Sequence, residues 1–128
     1  MKRSENMAKI LIVDDEPNIV LAIEFLLQRE GYHTEKAFDG LHALEMVADF
    51  QPDIVILDVM MPGMSGFELG QKIRQMPSLE HTKIIFLTAK GTQRDKQTGY
   101  ASGAEVYMIK PFDNEELVST VKEMLAYG

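Results

Sequence analysis

The sequence predicts an α/β domain: a doubly wound sheet of five parallel strands with helices on both faces. Three observations predict it. Short, continuous apolar runs recur along the chain, such as Ile10-Leu11-Ile12-Val13 and Ile54-Val55-Ile56-Leu57, too uniformly apolar for strands with one wet face. Between them lie segments with apolar residues at helical spacing. The connections are short, which suits strand–helix alternation. A chain of 128 residues fits one domain and can bury a proper core.

Taken in order, residues 1–8 read as a flexible lead-in and residues 9–127 as the domain. The first strand covers residues 9–13 and stops at Asp14-Asp15-Glu16. Pro17 suits the first turn of a helix, because its fixed φ and missing N–H are harmless there. Ile19, Val20, Ile23, Leu26 and Leu27 give that helix its stripe, and Gly31 ends it. A short second strand spans residues 34–37. Asp39 caps a helix over residues 40–49, with Leu41, Leu44, Val47 and Ala48 expected on its buried face. The third strand, 53–57, runs into Asp58 and breaks at Pro62-Gly63. Ser65 and Glu68 have capping-box spacing for a helix reaching about Met76. The fourth strand, 83–87, ends at Thr88-Ala89-Lys90-Gly91. Residues 93–101 form a weak helix, interrupted by Gly99 and short of long apolar residues, so it is expected to be mobile. The fifth strand, 105–109, leads to Lys110-Pro111-Phe112. Asp113 caps the last helix, with Glu116 at its third position and Leu117, Val118, Val121 and Leu125 as its stripe.

The charge balance narrows the function classes. Acids outnumber Lys and Arg by 20 to 13, a net charge of −7. That argues against direct binding of nucleic acid or of an anionic membrane, which require clustered positive charge. The absence of cysteine removes thiol catalysis, thiolate metal sites and disulfides. No apolar run reaches the ~18 residues of a membrane span, and no signal-peptide core is visible. The cytoplasm is the expected location.

Parallel strands direct their C-terminal ends to one edge, where open α/β sheets bind ligands. Asp14 and Asp15, Asp58, Thr88 and Lys110 all follow strand ends and therefore meet at that rim. The order 2-1-3-4-5, an established order for such sheets rather than one read from these residues, puts the crevice between Asp14-Asp15 and Asp58. Three clustered carboxylates repel. At about 4 Å and an effective dielectric near 20, each pair costs on the order of 4 kcal/mol. A proton or a cation must relieve this. Oxygen-only donors with room for water point to Mg²⁺, with Mn²⁺ able to substitute. An aspartate can attack phosphorus to form an acyl phosphate. Lys110, the Thr88 hydroxyl and the metal suit the remaining task, which is charge stabilisation on the transferring group. Backbone N–H groups of Val59, Met60 and Ala89 are further donors in loops leaving the strands.

With these residues in place, the chain resembles the receiver domain of a bacterial two-component response regulator, a flavodoxin-like fold. The resemblance rests on Asp14-Asp15 after Ile-Leu-Ile-Val, on Asp58 in Leu-Asp-Val-Met-Met-Pro-Gly-Met-Ser-Gly, on Thr88 in Leu-Thr-Ala-Lys and on Lys110 in Lys-Pro-Phe. It implies a signalling switch in which Asp58 takes a phosphoryl group from a phosphohistidine of a sensor histidine kinase or histidine phosphotransfer protein. It implies Asp15, Asp58 and the Met60 carbonyl as Mg²⁺ ligands, with Asp14 acting through water, and a cis Lys110–Pro111 bond. Thr88 and Tyr107 are the implied switch pair, coupled to the surface of the fourth helix, fifth strand and fifth helix. That surface is the implied site of a partner, an output domain or a homodimer. The resemblance also implies Met60, Lys90 and Ala89 as tuning positions, with Met60 and Lys90 flanking the path of the water that hydrolyses the acyl phosphate. Asn18, Ile19 and Ala22, at the start of the first helix, are candidates for docking the phosphodonor, Ile19 being equally a core candidate.

Alternatives stay open from sequence. Asp14-Asp15 alone could be a helix cap, Lys110 a surface lysine and Tyr107 a packing residue. Met60, Met61 and Met64 are soft donors that fit loop packing better than a metal site beside carboxylates. His33, His42 and His81 share no ligand spacing. An aspartyl-phosphate phosphatase of small molecules is a second class, although Asp58 lacks the Asp-x-Asp pattern of haloacid-dehalogenase-like enzymes. A phosphorylation-independent interaction module is a third. The last helix ends near Tyr127-Gly128, so the chain either docks alone onto a partner or is a receiver cut from a longer regulator.

Overall fold

A computed structural model describes residues 8–127. Five strands form one sheet: β1 (Lys9–Val13), β2 (His33–Ala37), β3 (Ile54–Leu57), β4 (Lys83–Thr88) and β5 (Val106–Ile109). All neighbours are parallel, and the order is β2-β1-β3-β4-β5, as expected. The helices are α1 (Pro17–Arg29), α2 (Gly40–Phe50), α3 (Gly66–Arg74), α4 (Gln93–Ala101) and α5 (Asn114–Ala126).

The strand sequences explain the layering. Successive side chains alternate between faces. Leu11, Val13, Val55, Leu57, Ile84 and Phe86 therefore share one face, packed with Ala43 and Val47 of α2 and Leu69 and Ile73 of α3. Ile10, Ile12, Ile54, Ile56, Ile85 and Leu87 share the other, packed with Val20, Ile23 and Leu27 of α1 and Leu117 and Val121 of α5. β2 lies at an edge and is the most polar strand: His33 and Glu35 are exposed, Lys36 is half-buried, and only Thr34 and Ala37 are buried.

Several local expectations need correction. Ala8, assigned to the lead-in, is buried, and its carbonyl accepts from the His33 N–H, so the packed domain begins one residue earlier. The other lead-in residues lie outside the described region. On α2 the buried face is Gly40, Ala43 and Val47, with Leu44 packed beside it; Leu41 and Ala48 are exposed. The stripe is rotated because the α2 N-terminus presses against the β3–α3 loop: a Cβ on Gly40 would lie 3.0 Å from the Met64 Cβ. Ser65 accepts from the Glu68 N–H at 3.2 Å, only half of a capping box. The complete box is on α4, where Thr92 and Asp95 bond each other's backbone, with Asp in the place where Glu or Gln is usual. α3 ends at Arg74, and a 3₁₀ turn, Pro77–Leu79, follows and buries Leu79.

Arg74 locks this end of the sheet. Its guanidinium donates to the Gly103 carbonyl at 2.9 Å, to the Thr82 carbonyl at 2.5 Å and to both Glu105 oxygens at 2.7 and 2.9 Å. Glu105 in turn accepts from the Ile84 N–H at 2.7 Å. One side chain thus joins α3, the start of β4 and the turn before β5. Replacing it strands two carbonyls and a carboxylate. Arg74→Ala should lower unfolding free energy by about 2–4 kcal/mol with an unchanged m-value in urea. A loss under about 0.5 kcal/mol, the range of a neutral surface change, would contradict this role.

Candidate functional site

The C-terminal rim of the sheet gathers the residues the sequence singled out. Backbone bonds continue the strand registers past the strand ends and fix the carboxylates in place: the Asp14 N–H donates to the Ala37 carbonyl and the Asp58 N–H to the Val13 carbonyl. The Lys110 N–H donates to the Thr88 carbonyl at 2.8 Å. Asp14, Asp58 and Thr88 are buried, whereas Asp15 is exposed.

The loop after Asp58 depends on Gly66. A Cβ there would collide with the Asp58 carbonyl oxygen and stand 2.9 Å from the Val59 Cα, while the Gly66 N–H donates to the Val59 carbonyl at 2.9 Å. Only glycine lets α3 begin this close to the Asp58 loop. Sequence reasoning gave Gly66 no such role; its place just inside the Ser65 cap was the available signal.

Lys110 sits among the acids. Its Nζ donates to Asp14 Oδ2 at 2.7 Å and Asp58 Oδ2 at 3.3 Å, and lies 3.5 Å from Glu16 Oε1. Asp14 Oδ1 accepts from the Glu16 N–H at 2.9 Å, and Asp58 Oδ1 from the Met60 N–H at 3.3 Å. Among the described residues, oxygens of Asp14, Asp15, Glu16 and Asp58 come within 4.8 Å of one another. Glu16 is a fourth carboxylate that the sequence reading did not place at the site, although it directly follows Asp15. Lys110–Pro111 is cis, as expected.

Burial pushes the Asp14 carboxyl above its usual range, and the Asp58 charge adds to this against the opposing hydrogen bonds from Lys110 and the Glu16 N–H. For Lys110, burial alone would lower the pKa, but the bond to Asp14 and the charges of Asp14 and Asp58 outweigh it and raise it.

Thr88 Oγ1 accepts from the Lys90 N–H at 3.2 Å. The buried Tyr107 hydroxyl donates to the Lys90 carbonyl at 2.7 Å. Burial, then the charges of Asp95 and Asp58, push this phenol up to about 12, so it remains a donor at neutral pH. Met60, Ala89 and Lys90 are all exposed at the mouth of the site. On α1, Asn18 and Ala22 are exposed, whereas Ile19 packs partly against the core. Leu21 and Phe25 are exposed on the same helix and belong neither to its buried stripe nor to the candidate docking residues.

Four carboxylates around one ammonium leave net negative charge in a partly dry crevice. Asp58→Asn or Asp15→Asn should therefore raise the melting temperature in metal-free buffer, by about 3–5 °C per kcal/mol of repulsion relieved. Mg²⁺ should raise it in the unaltered protein. Asp14 sets the pH dependence. Its folded pKa lies above the ordinary 3.8, so its contribution to stability is complete below that value and is lost as pH rises through the folded pKa. The Mg²⁺ effect should grow over the same interval. Melting curves unchanged by either asparagine and by Mg²⁺ would remove the strained cluster.

Comparison with known proteins agrees with this geometry. The family model for the response regulator receiver domain matches residues 10–122. The chemotaxis protein CheY4 of Vibrio cholerae is 38% identical, covers 92% of this chain and 98% of its own, and superposes with a TM-score of 0.88. A putative response regulator from Chloroflexus aurantiacus is also 38% identical, with 94% and 98% covered and a TM-score of 0.89. DrrB, a Thermotoga maritima OmpR/PhoB homolog, is 31% identical with a TM-score of 0.86; the match covers 94% of this chain and 54% of DrrB. The chain belongs to the response regulator receiver domain family, as a phosphorylation-controlled signalling switch.

Proposed function

We propose that Asp58 is the phosphoryl acceptor of this switch. The observation that carries the reading is the setting of its carboxylate. Asp58 is 5% exposed, with one oxygen 3.3 Å from the Lys110 ammonium and the other 3.3 Å from the Met60 N–H, inside the acidic cluster. An Asp58 oxygen attacks phosphorus, the bond from phosphorus to the donor's imidazole nitrogen breaks, and that nitrogen keeps the electron pair. Lys110 then stabilises phosphoryl oxygens instead of Asp58. Thr88, two residues before Lys90, donates a hydroxyl hydrogen bond to the same oxygens.

The donor set fits a hard divalent cation: every cluster atom is a carboxylate oxygen, and the charge exceeds what Lys110 neutralises. Asp15, Asp58 and the Met60 carbonyl would hold Mg²⁺, with Asp14 acting through water and Glu16 bordering the site. When bound, the ion supplies charge neutralisation for the transferring phosphoryl oxygens.

A receiver works with a phosphodonor and an output. We assign the donor side to a sensor histidine kinase or a histidine phosphotransfer protein that approaches the exposed Asn18 and Ala22. The output side is the face of α4, β5 and α5, where Tyr107 reports the position of Thr88 through the Lys90 peptide. An output domain, a separate protein or a second copy of this chain would bind there. Met60, Ala89 and Lys90 control water access to the acyl phosphate. No helix among the described residues is long and apolar enough to cross a membrane, and a cytoplasmic setting suits a phosphohistidine donor. The family assignment favours the switch over a small-molecule phosphatase.

Acetyl phosphate with Mg²⁺ should label the unaltered protein once, and Asp58→Asn should abolish the labelling. Thr88→Ala and Lys110→Ala should slow it by about 10²–10³-fold, the scale of losing one preorganised charge-stabilising group. Undiminished labelling of Asp58→Asn, or a label on the unaltered protein that resists hydroxylamine, would overturn the assignment.

A further inference from the structure

α4 meets the sheet through a glycine: Gly99 is its buried residue. Glycine inside a helix is less favourable than alanine, since it leaves the unfolded chain more freedom. Its presence therefore calls for another reason. A Cβ on Gly99 would stand 2.5 Å from Cδ2 and 2.7 Å from Cε2 of Tyr107, and 3.3 Å from Phe86 Cδ2. The missing methyl group is the space that the tyrosine ring fills. Phe86 is fully buried in β4 and cannot retreat. Tyr107 lies on the edge strand β5, and a turn about χ1 gives its ring another staggered position. A side chain at position 99 would displace Tyr107 first.

The seated ring holds more than itself. Its hydroxyl donates to the Lys90 carbonyl at 2.7 Å, and the N–H of the same Lys90 donates to Thr88 Oγ1 at 3.2 Å. Contacts thus run without a break from Gly99 through the Tyr107 ring and Lys90 to the Thr88 hydroxyl. We infer that Gly99 is a positioning residue for the phosphorylation site: by lacking a side chain, it lets Tyr107 take the buried seat that fixes the β4–α4 loop and with it Thr88. The inference rests on the reading of Asp58 as acceptor and Thr88 as a group that meets the phosphoryl oxygens. A glycine needed only for close packing of α4 would act without regard to what stands at position 107.

A double-mutant cycle on the full chain separates the two roles. Beryllofluoride with Mg²⁺ serves as the probe, binding is titrated by NMR, and the Tyr107 ring resonance, assigned by its loss in Tyr107→Phe, reports the seat. Gly99→Ala should weaken beryllofluoride binding about five- to tenfold, at the low end of ordinary coupling between sites, and move the ring resonance toward that of free tyrosine. In a Tyr107→Ala background the same substitution should leave binding unchanged and raise the melting temperature, since only the helix preference for alanine remains. If Gly99→Ala alone does not fold while the double variant does, that rescue itself places the collision at Tyr107. Tyr107→Phe, with the ring seated and the Lys90 bond gone, then carries the affinity test and should weaken binding about threefold, the scale of one hydrogen bond. Equal weakening by Gly99→Ala in both backgrounds, or full affinity in Gly99→Ala, would overturn the inference. Full affinity in Tyr107→Phe would overturn it where that variant carries the test. An unaltered protein that does not bind beryllofluoride would overturn the acceptor reading first, and this one with it.

Discussion

Lys110 holds two buried carboxylates that would otherwise drive each other apart. Its ammonium lies 2.7 Å from Asp14 and 3.3 Å from Asp58, residues far apart in sequence that adjacent strands bring to one rim. Neither acid can escape into solvent, because each is anchored by its own backbone N–H to the next strand's carbonyl. The sheet register therefore concentrates negative charge, and a single lysine at the end of β5 partly offsets it. The balance is incomplete, since Asp15 and Glu16 stand beside the pair. A cation entering this cluster would relieve an electrostatic tension that the fold itself builds in.

The strands were the most legible features of the sequence, whereas their order came from what such sheets adopt rather than from these residues. A run such as Ile54-Val55-Ile56-Leu57 admits few placements other than mid-sheet, and mid-sheet strands fix the rim. Asp14, Asp58, Thr88 and Lys110 were readable for the same reason: each follows such a run directly. Helix faces were less legible. On α2 the stripe Leu41, Leu44, Val47, Ala48 is a good helical pattern, yet the helix buries Gly40 and Ala43 and exposes Leu41. Hydrophobic spacing counts large side chains, while contact with the β3–α3 loop selects small ones. Gly66 was illegible for a related cause. Its role is to leave room for the Asp58 carbonyl, and empty space has no sequence pattern. Glu16 escaped because a carboxylate in a helix cap position already has an ordinary explanation.

The α4 region joins these two lessons. The sequence described it as a helix without an apolar anchor, and its buried contact is indeed a glycine. Apolar anchoring would have tied α4 firmly to the sheet and separated it from events at the rim. Here its docking depends instead on an aromatic ring on the edge strand, and that ring is bonded to the loop that follows Thr88. A helix seated partly on a reorientable ring, without an apolar stripe of its own, has a lower cost of local rearrangement than one anchored by large apolar side chains. The full capping box at Thr92 and Asp95 offsets part of the missing core contact by satisfying the helix start locally. The α4 helix can therefore stay formed while its attachment changes. β1 to β4, packed between two buried layers, keep the acids at fixed spacing, while α4 meets the edge strand β5 through the Gly99–Tyr107 contact rather than through an apolar stripe.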